Sequence, residues 1–183
     1  MAKAMTGSFY LTETVTIPAA SADGTRVTGS LDLGAYVNVA TSQAVAVESV
    51  DVVVQQGGNL KQLNKDLLAA DGVISTQLTD LNPGTAFVRA DNNSLIASTS
   101  LNIDASANLA DMTVDLYPDN FGPTALSEAF MVVNDSLFFT AGIDGAAAGA
   151  ADLFITARIK ARIAKLSQKD FVAIAIQSTA SDN

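Results

Sequence analysis

Apolar and polar residues alternate with a period of two along most of this chain, and turn residues interrupt the alternation about every 8–12 positions. Phe9–Ile17 shows the pattern well, with Phe9, Leu11 and Val15 on one side and threonines on the other. Such alternation is typical of β-strands that bury one face. The further predicted strands cover residues 25–39, 44–55, 73–78, 85–90, 94–103, 109–117, 130–133, 136–141, 153–163 and 171–176.

The spacing of apolar residues changes from a strand period to a helical period once, after Gly57 and Gly58. Leu60, Leu63 and Leu67 follow Asn59 at helical spacing, and Gly72 stands just beyond them. Asn is a good N-cap, and Gly suits the left-handed residue after a helix. We therefore predict one short helix over about residues 60–70, inserted between two strands.

Residues 153–167, LFITARIKARIAKLS, fit two periods. A helix would gather Ile155, Ile159, Ile163 and Leu166 into one apolar stripe. In a strand, alternate residues from Ile155 to Ile163 would face a core. Arg158, Lys160 and Arg162 would then lie on the opposite face, with neighbouring side chains about 6–7 Å apart. The β-rich surroundings favour the strand, because local propensity is weak against tertiary setting.

The run FVAIAI, residues 171–176, also has the composition of a strand. Residues 167–170, SQKD, form a short polar connector between it and the preceding run. Two adjacent apolar runs joined in this way predict a terminal β-hairpin.

Many short strands in 183 residues indicate an all-β sandwich or barrel. One inserted helix fits a single jelly-roll β-sandwich better than an immunoglobulin sandwich, whose usual Cys and Trp residues are absent. We expect residues 1–183 to form one jelly-roll domain.

The charge is acidic overall and unevenly distributed, with a net charge of −9. Residues 1–150 carry five basic and sixteen acidic residues, whereas residues 151–183 carry five basic and three acidic residues. Acidic excess argues against direct binding of nucleic acid. The basic residues near the end are candidate assembly or membrane-facing contacts, unless they form a solvated strand face: Arg158, Lys160, Arg162 and Lys165.

Residue types that most enzymes need are missing. The chain has no Cys and no His, which excludes Ser-His-Asp and Cys-His catalysis and any disulfide. Asp111 and Asp115 would lie roughly 13 Å apart on one strand, too far to act on one bond. We predict no catalytic site and no cofactor.

Loop carboxylates and amides could in principle hold calcium. The candidates are Asp91, Asn92, Asn93, Asp119 and Asn120, but no EF-hand spacing occurs. Asp80 begins a predicted turn over residues 80–84. Other loop aspartates stand where turns use their side chains for local hydrogen bonds: Asp23, Asp71, Asp91, Asp135 and Asp144. We therefore predict no metal site.

The run SLDLGAYVNVATSQAVAVESVDVVVQQ, residues 30–56, resembles strands of the single jelly-roll coat proteins of tailless icosahedral viruses with an internal membrane. These viruses infect haloarchaea and thermophilic bacteria. The chain length, the acidity and the predicted terminal hairpin resemble their smaller major capsid protein. The resemblance implies upright sandwiches, several to a capsomer, built together with a second, larger coat protein. The excess of Asp over Lys is also typical of high-salt proteins.

The sequence therefore predicts a structural virion protein that associates with copies of itself, with a larger capsid protein and with an underlying viral membrane. We expect it in the capsid shell, after synthesis in the host cytoplasm, and we see no signal peptide or transmembrane segment. The alternative is a carbohydrate- or cell-surface-binding β-sandwich module. Few aromatic residues are present to stack on sugars, which disfavours it.

Overall fold

The structure, a computed structural model, describes residues 2–60, 66–116 and 129–179. The described part is mostly β-strand with one α-helix. Its elements are β1 (Lys3–Ala4), β2 (Phe9–Ile17), β3 (Arg26–Asp32), β4 (Gln43–Gln56), β5 (Gly72–Thr79), β6 (Leu95–Asp104), β7 (Leu109–Leu116), β8 (Phe130–Val132), β9 (Ser136–Asp144), β10 (Leu153–Lys165) and α1 (Gln168–Thr179).

The strands form two antiparallel five-stranded sheets. In the first sheet, β10 lies between β4 and an edge made of β1 and β2, and β8 pairs with the far side of β4. In the second sheet the order is β3, β9, β5, β6 and β7. We call these the first sheet and the second sheet.

The strand pairs are nested, and this nesting identifies the topology. Strand β2 pairs with β10, β3 with β9, β4 with β8 and β5 with β6, all antiparallel. A chain folded as one long hairpin and then rolled up gives this order, with successive pairs in alternate sheets. It is the jelly roll, and the predicted fold class is confirmed.

The core lies between the two sheets and is filled by alternate residues of the central strands. Strand β10 contributes Ile155, Ala157, Ile159 and Ala161, each with no exposed surface. The second sheet faces them with large side chains that are also fully buried, among them Leu137, Phe139 and Ile143. The strand prediction for residues 153–163 is therefore confirmed, although Ile163 is only half-buried near the end of the core.

The predicted terminal hairpin is wrong. Residues 171–176 lie in helix α1, because β4 pairs with one edge of β10 and β2 and β1 already occupy the other edge, β1 at the end where a hairpin would begin. At its last residue, Lys165 is flanked by Lys3 on one side and by Gln43 on the other. No free edge remains for a strand that turns back after residue 167.

Helix α1 has the signals that start a helix and a buried stripe that holds it. Ser167 accepts a hydrogen bond from the backbone N–H of Asp170 at 3.2 Å, and the Asp170 side chain bonds back to Ser167. Phe171 and Ile174, three residues apart, pack onto Ala44 and Val133 on the outer side of the first sheet. This second apolar cluster favours a helical period over the strand alternation.

The predicted strand at residues 85–90 is wrong: the segment is irregular, and both amide atoms of the Gln77 side chain bond the Val88 backbone. The helix predicted over residues 60–70 falls largely on residues 61–65, which lie outside the described residues. Its described flanks are a turn at Leu60 and a bridge between Leu68 and Ala148.

Candidate functional site

The basic residues singled out in the sequence lie on the long central strand of the first sheet. Arg158, Lys160 and Arg162 alternate with buried core residues of β10, so they share the outer face of this sheet. Lys165 does not share that face. It is exposed at the end of the strand, directly opposite Lys3.

An irregularity in the neighbouring strand places an acid among these bases. Along β4 the register shifts beside Lys160 and Ala161, which leaves Glu48 as the extra residue. The Glu48 side chain is only 2% exposed. Its Oε1 contacts Nη2 of Arg162, and its Oε2 lies 3.8 Å from Nζ of Lys160. Burial of the carboxylate is thus balanced by two cations.

A third polar group completes the environment of Glu48. Ser8, in the segment between β1 and β2, donates a hydrogen bond from Oγ to Glu48 Oε2 at 2.7 Å. The carboxylate therefore ties the edge of the first sheet to its centre. Sequence reasoning missed this contact. The available signal was an acidic residue inside the apolar run VAVESVDVVV.

Arg158 has a different environment from its two neighbours. It is exposed, and its guanidinium carbon lies 5.1 Å from the centre of the Tyr10 ring, a cation–π distance. Its cross-strand partner on β4 is Asp51, which is also exposed. Of the three aligned bases, Arg158 is the most exposed, whereas Lys160 and Arg162 are partly buried and contact Glu48.

A second polar cluster lies where α1 meets the end of the sandwich. Asp80, which the sequence placed in a turn, is 2% exposed. Its Oδ2 accepts hydrogen bonds from Ser178 Oγ at 2.8 Å and from Asn134 Nδ2 at 3.2 Å. Its Oδ1 is buried and has no hydrogen-bond partner among the described residues. Burial raises the pKa of Asp80 to about 6, although both side-chain hydrogen bonds act to lower it.

Asp91 and Asn92, two of the residues weighed as calcium ligands, make local contacts. Asn92 Oδ1 accepts hydrogen bonds from the backbone N–H and the hydroxyl of Ser94, at 2.9 and 2.8 Å. Asp91 lies 3.5 Å from Arg89, and both side chains are exposed. Asp119 and Asn120 lie outside the described residues. Within the described ranges, no three acidic side chains are grouped as a metal site would require.

The carboxylate pair weighed for acid–base chemistry lies on β7, as predicted. Asp111 is exposed on the outer side of the second sheet. A separate pocket of about 700 Å³ opens at the end of the sandwich beside Gln56, Asp66 and Gly149. Its described lining is dominated by Ala and Gly residues, and Asp66 is the one carboxylate in it. We find no arrangement there that pairs an acid with a base.

No protein-family model matches this chain, and no curated protein matches it in sequence. Solved structures similar to it include three icosahedral viral capsid proteins, each at 11% sequence identity. Desmodium yellow mottle tymovirus gives a TM-score of 0.32 over 88% of this chain and 91% of that chain.

Turnip yellow mosaic virus gives a TM-score of 0.30 over 87% of this chain and 95% of that chain. Cocksfoot mottle virus gives a TM-score of 0.30 over 89% of this chain and 87% of that chain. At these values the similarity carries no argument about function, and the jelly-roll assignment rests on the strand order of this chain. Among the described residues, no helix combines the length and the apolar character needed to cross a membrane.

Proposed function

We propose that this protein is a structural subunit of an icosahedral viral capsid and that it works by associating with copies of itself. The observation that carries the proposal is the nested pairing of β2 to β10, which is the complete jelly roll. This architecture is common in viral capsid and lectin domains. Because a fold alone leaves function open, the choice between these classes needs further support.

The exposed residues favour a capsid subunit over a sugar-binding module. Sugar-binding modules usually expose several aromatic rings on one face. Among the described residues, Tyr10 is the one aromatic side chain that is more than half exposed, and Arg158 already covers its ring. Charges are also distributed so that copies can attract one another, since the basic excess lies after residue 150 and the acidic excess before it.

The finer parts of the proposal concern the setting of the subunit. We propose that residues 1–183 act as one domain in the virion shell, without catalysis, after synthesis in the host cytoplasm. A second, larger coat protein would complete the capsomers, and an internal membrane would lie beneath them, in a virus of haloarchaea or thermophilic bacteria. The resemblance of residues 30–56 and the high Asp content support this setting.

Sedimentation and electron microscopy of the purified protein test the capsid proposal directly. Because the chain is strongly acidic, measurements at low salt and at molar salt separate charge repulsion from lack of affinity. We expect discrete capsomers or larger particles in at least one condition. A strict monomer in both conditions would contradict the proposal, and specific glycan binding by that monomer would favour the carbohydrate-binding alternative.

The basic face of the first sheet is the proposed assembly contact, and the structure sharpens how to test it. Reversing Lys160 or Arg162 would also unbalance the buried Glu48, so a loss of assembly would be ambiguous. Arg158→Glu changes an exposed charge instead. Arg89→Glu is the matched control, because Arg89 has a side chain 88% exposed on another part of the surface.

We expect R158E to fold like the natural protein but to reduce particle formation, and R89E to leave it unchanged. If both variants assemble normally, Arg158 is only a solvated residue. Lys165→Glu, at the strand end, then tests whether the contact lies nearer to β1.

A further inference from the structure

Strand β2 forms an edge of the first sheet. It pairs with β10 on one side, and no described strand pairs with its other side. With nine residues it is the longest edge strand of this sheet, since β1 has two residues and β8 has three. The backbone N–H and C=O groups along an open edge can pair with a strand of another molecule, so a long edge strand is a site at which copies can associate.

The sequence of β2 is well suited to strand pairing. FYLTETVTI contains aromatic, aliphatic and β-branched residues, with neither Pro nor Gly. Short segments of this composition associate readily as strands when they carry little charge. Glu13 is the one charged residue of β2, and it stands at the middle of the strand, between Phe9 and Ile17. The open edge therefore has a composition that favours pairing and a single charge at its centre.

Glu13 points toward the interior of the sandwich. Leu11 and Val15, its neighbours on the same side of β2, pack in the core, whereas the adjacent threonines are exposed on the outer side. The Glu13 carboxylate lies over Gly29 of β3, because a Cβ atom added to Gly29 would overlap Glu13 Oε1. Glu13 is thus held where the edge strands of the two sheets face one another, and the absence of a side chain at Gly29 leaves room for it.

The Glu13 carboxylate is half-buried without a cation beside it. Among the described residues it forms no salt bridge, and burial raises its pKa. Ala157 of β10 is its cross-strand neighbour and Gly29 lies beneath it, so water reaches the carboxylate from the open edge of β2. A carboxylate in this position depends on that water for its solvation.

A further strand on this edge would remove the water. The added strand would lie about 4.8 Å from β2 and would cover the open side of Glu13. Full antiparallel pairing of β2 with β2 of a second copy has another cost, because residue 9 then lies opposite residue 17 and Glu13 lies opposite Glu13. Side chains directly opposite one another on antiparallel strands have Cβ atoms about 5 Å apart, and like charges at this distance repel.

We propose that Glu13 keeps the β2 edge closed to a second copy of this chain, and that removal of its charge makes this edge a two-fold dimer contact. In that dimer the first sheets of two copies join through their β2 strands into one continuous sheet. The contact differs from the one proposed for the capsid at Arg158, which uses a side chain on the outer face. The inference therefore goes beyond the proposed function and does not rest on it.

Sedimentation of Glu13→Val beside the natural protein tests the inference. We expect E13V to form dimers with a dissociation constant at least about tenfold lower, because two facing charges are removed and valine favours the strand. The matched control is Thr16→Val, which adds the same side chain to the exposed outer side of the same strand. Equal association of E13V and the natural protein would overturn the inference, and so would equal association of E13V and T16V.

Glu13→Gln separates the loss of charge from the gain of apolar surface. Because Gln has nearly the size of Glu, this variant also preserves the packing over Gly29. We expect E13Q to dimerise more tightly than the natural protein and less tightly than E13V, since its amide must still be dehydrated. An E13Q protein that associates no better than the natural chain would contradict the role of the charge. Circular dichroism verifies that each variant retains its β-structure.

Engineered cysteines identify the surface through which E13V associates, since the natural chain contains none. In the full antiparallel pairing, residue 12 of one copy lies opposite residue 14 of the other. Thr12→Cys and Thr14→Cys, each made in the E13V protein, are mixed and oxidised, and covalent dimers are quantified. The matched control mixes Thr12→Cys with Val39→Cys in the same background, because Val39 is 71% exposed outside β2.

We expect the 12–14 dimer to form about tenfold faster than the 12–39 dimer, because strand pairing raises the effective concentration of the two thiols. Equal rates would show that E13V associates through another surface, which would overturn the inference.

The two proposals can fail separately. An E13V protein that forms normal particles without the 12–14 cross-link would remove the role of Glu13 and leave the capsid function intact. A natural protein that stays monomeric at every salt concentration, beside an E13V protein that forms the cross-linked dimer, would remove the capsid function and support the role of Glu13.

Discussion

The Glu48 carboxylate contacts the Arg162 guanidinium on the outer side of the first sheet, and a bulge in β4 makes the contact possible. The two residues lie on adjacent strands that come from distant parts of the chain. Arg162 is partly buried, with 25% of its side chain exposed, and Glu48 is almost fully buried. A basic residue that the sequence presented as a surface contact is therefore also a partner for a buried charge.

Removing Arg162 should destabilise the protein more than removing Arg158. Arg162→Met leaves the Glu48 carboxylate buried with Lys160 as its remaining cation, and breaking a buried ion pair typically costs about 3 kcal/mol. Urea denaturation should show a loss of that size. The control, Arg158→Met, removes an exposed cation and should change the free energy of unfolding by less than about 1 kcal/mol.

The double variant Glu48→Gln/Arg162→Met should recover part of the lost stability, since the buried Glu48 charge is then removed together with Arg162, and the Lys160 side chain, 37% exposed, can be hydrated. If Arg162→Met and Arg158→Met are equally mild, Glu48 is hydrated or repartnered, and the buried-pair interpretation is wrong.

The free energy of unfolding should fall as the pH rises from about 4 to above 6, because Asp80 loses its proton in the folded protein over this range. Its pKa is raised to about 6 in the folded protein, from an ordinary value of 3.8. Between these values the folded state holds a proton that the unfolded state has released, so raising the pH favours unfolding. The full effect is about 3 kcal/mol, since each pKa unit corresponds to about 1.4 kcal/mol.

Asp80→Asn should remove the fall in stability that Asp80 causes, as measured by denaturation at several pH values across that range. Asp104→Asn is the control, because side-chain and backbone hydrogen bonds lower the pKa of Asp104 and its contribution has the opposite sign. An Asp80→Asn protein whose pH profile matches that of the natural chain would show that Asp80 is not buried beneath α1.

Two isoleucines of α1 distinguish a helix from the strand that the sequence predicted. In a strand, Ile174 and Ile176 would share a face, whereas in the helix Ile174 packs in the second apolar cluster and Ile176 is 61% exposed. Ile174→Ala should therefore cost about 2 kcal/mol, and Ile176→Ala less than about 0.5 kcal/mol. Thermal or urea unfolding measures both, and equal losses would argue against the helix.

Gly149 should resist substitution because another backbone passes close to it. A Cβ atom on Gly149 would overlap the carbonyl oxygen of Asp66, and the Gly149 N–H donates to the Leu67 carbonyl at 2.9 Å. Gly149→Ala should cost more than about 1 kcal/mol, since backbone rather than a flexible side chain must move. Gly58→Ala, with open space around the added carbon, is the control.

A Gly149→Ala variant as stable as Gly58→Ala would mean that the loop before β10 does not contact the loop after β4. The comparison uses chemical denaturation, with circular dichroism to verify that both variants retain their β-structure.

Much of the β-structure could be predicted from alternation alone. The buried residues of β10, from Ile155 to Ala161, and the outward direction of Arg158, Lys160 and Arg162 follow from a period of two, because alternate side chains of a strand point to opposite faces. Strand number and turn spacing indicated a sandwich or barrel, whereas the choice of the jelly roll rested on the helix predicted over residues 60–70, which falls largely outside the described residues. These features depend on near neighbours along the chain.

Other features depend on contacts between distant residues, which alternation does not encode. FVAIAI has the composition of a strand, but it forms a helix because β4 occupies one edge of β10 and β1 and β2 occupy the other. Glu48 pairs with Arg162 because a bulge changes the register of β4. Asp80 is buried because the C-terminal turn of α1 brings Ser178 against it. Local periodicity specifies which residues of a segment share a face, whereas the assembled sheets specify which edges are free and which charges are buried.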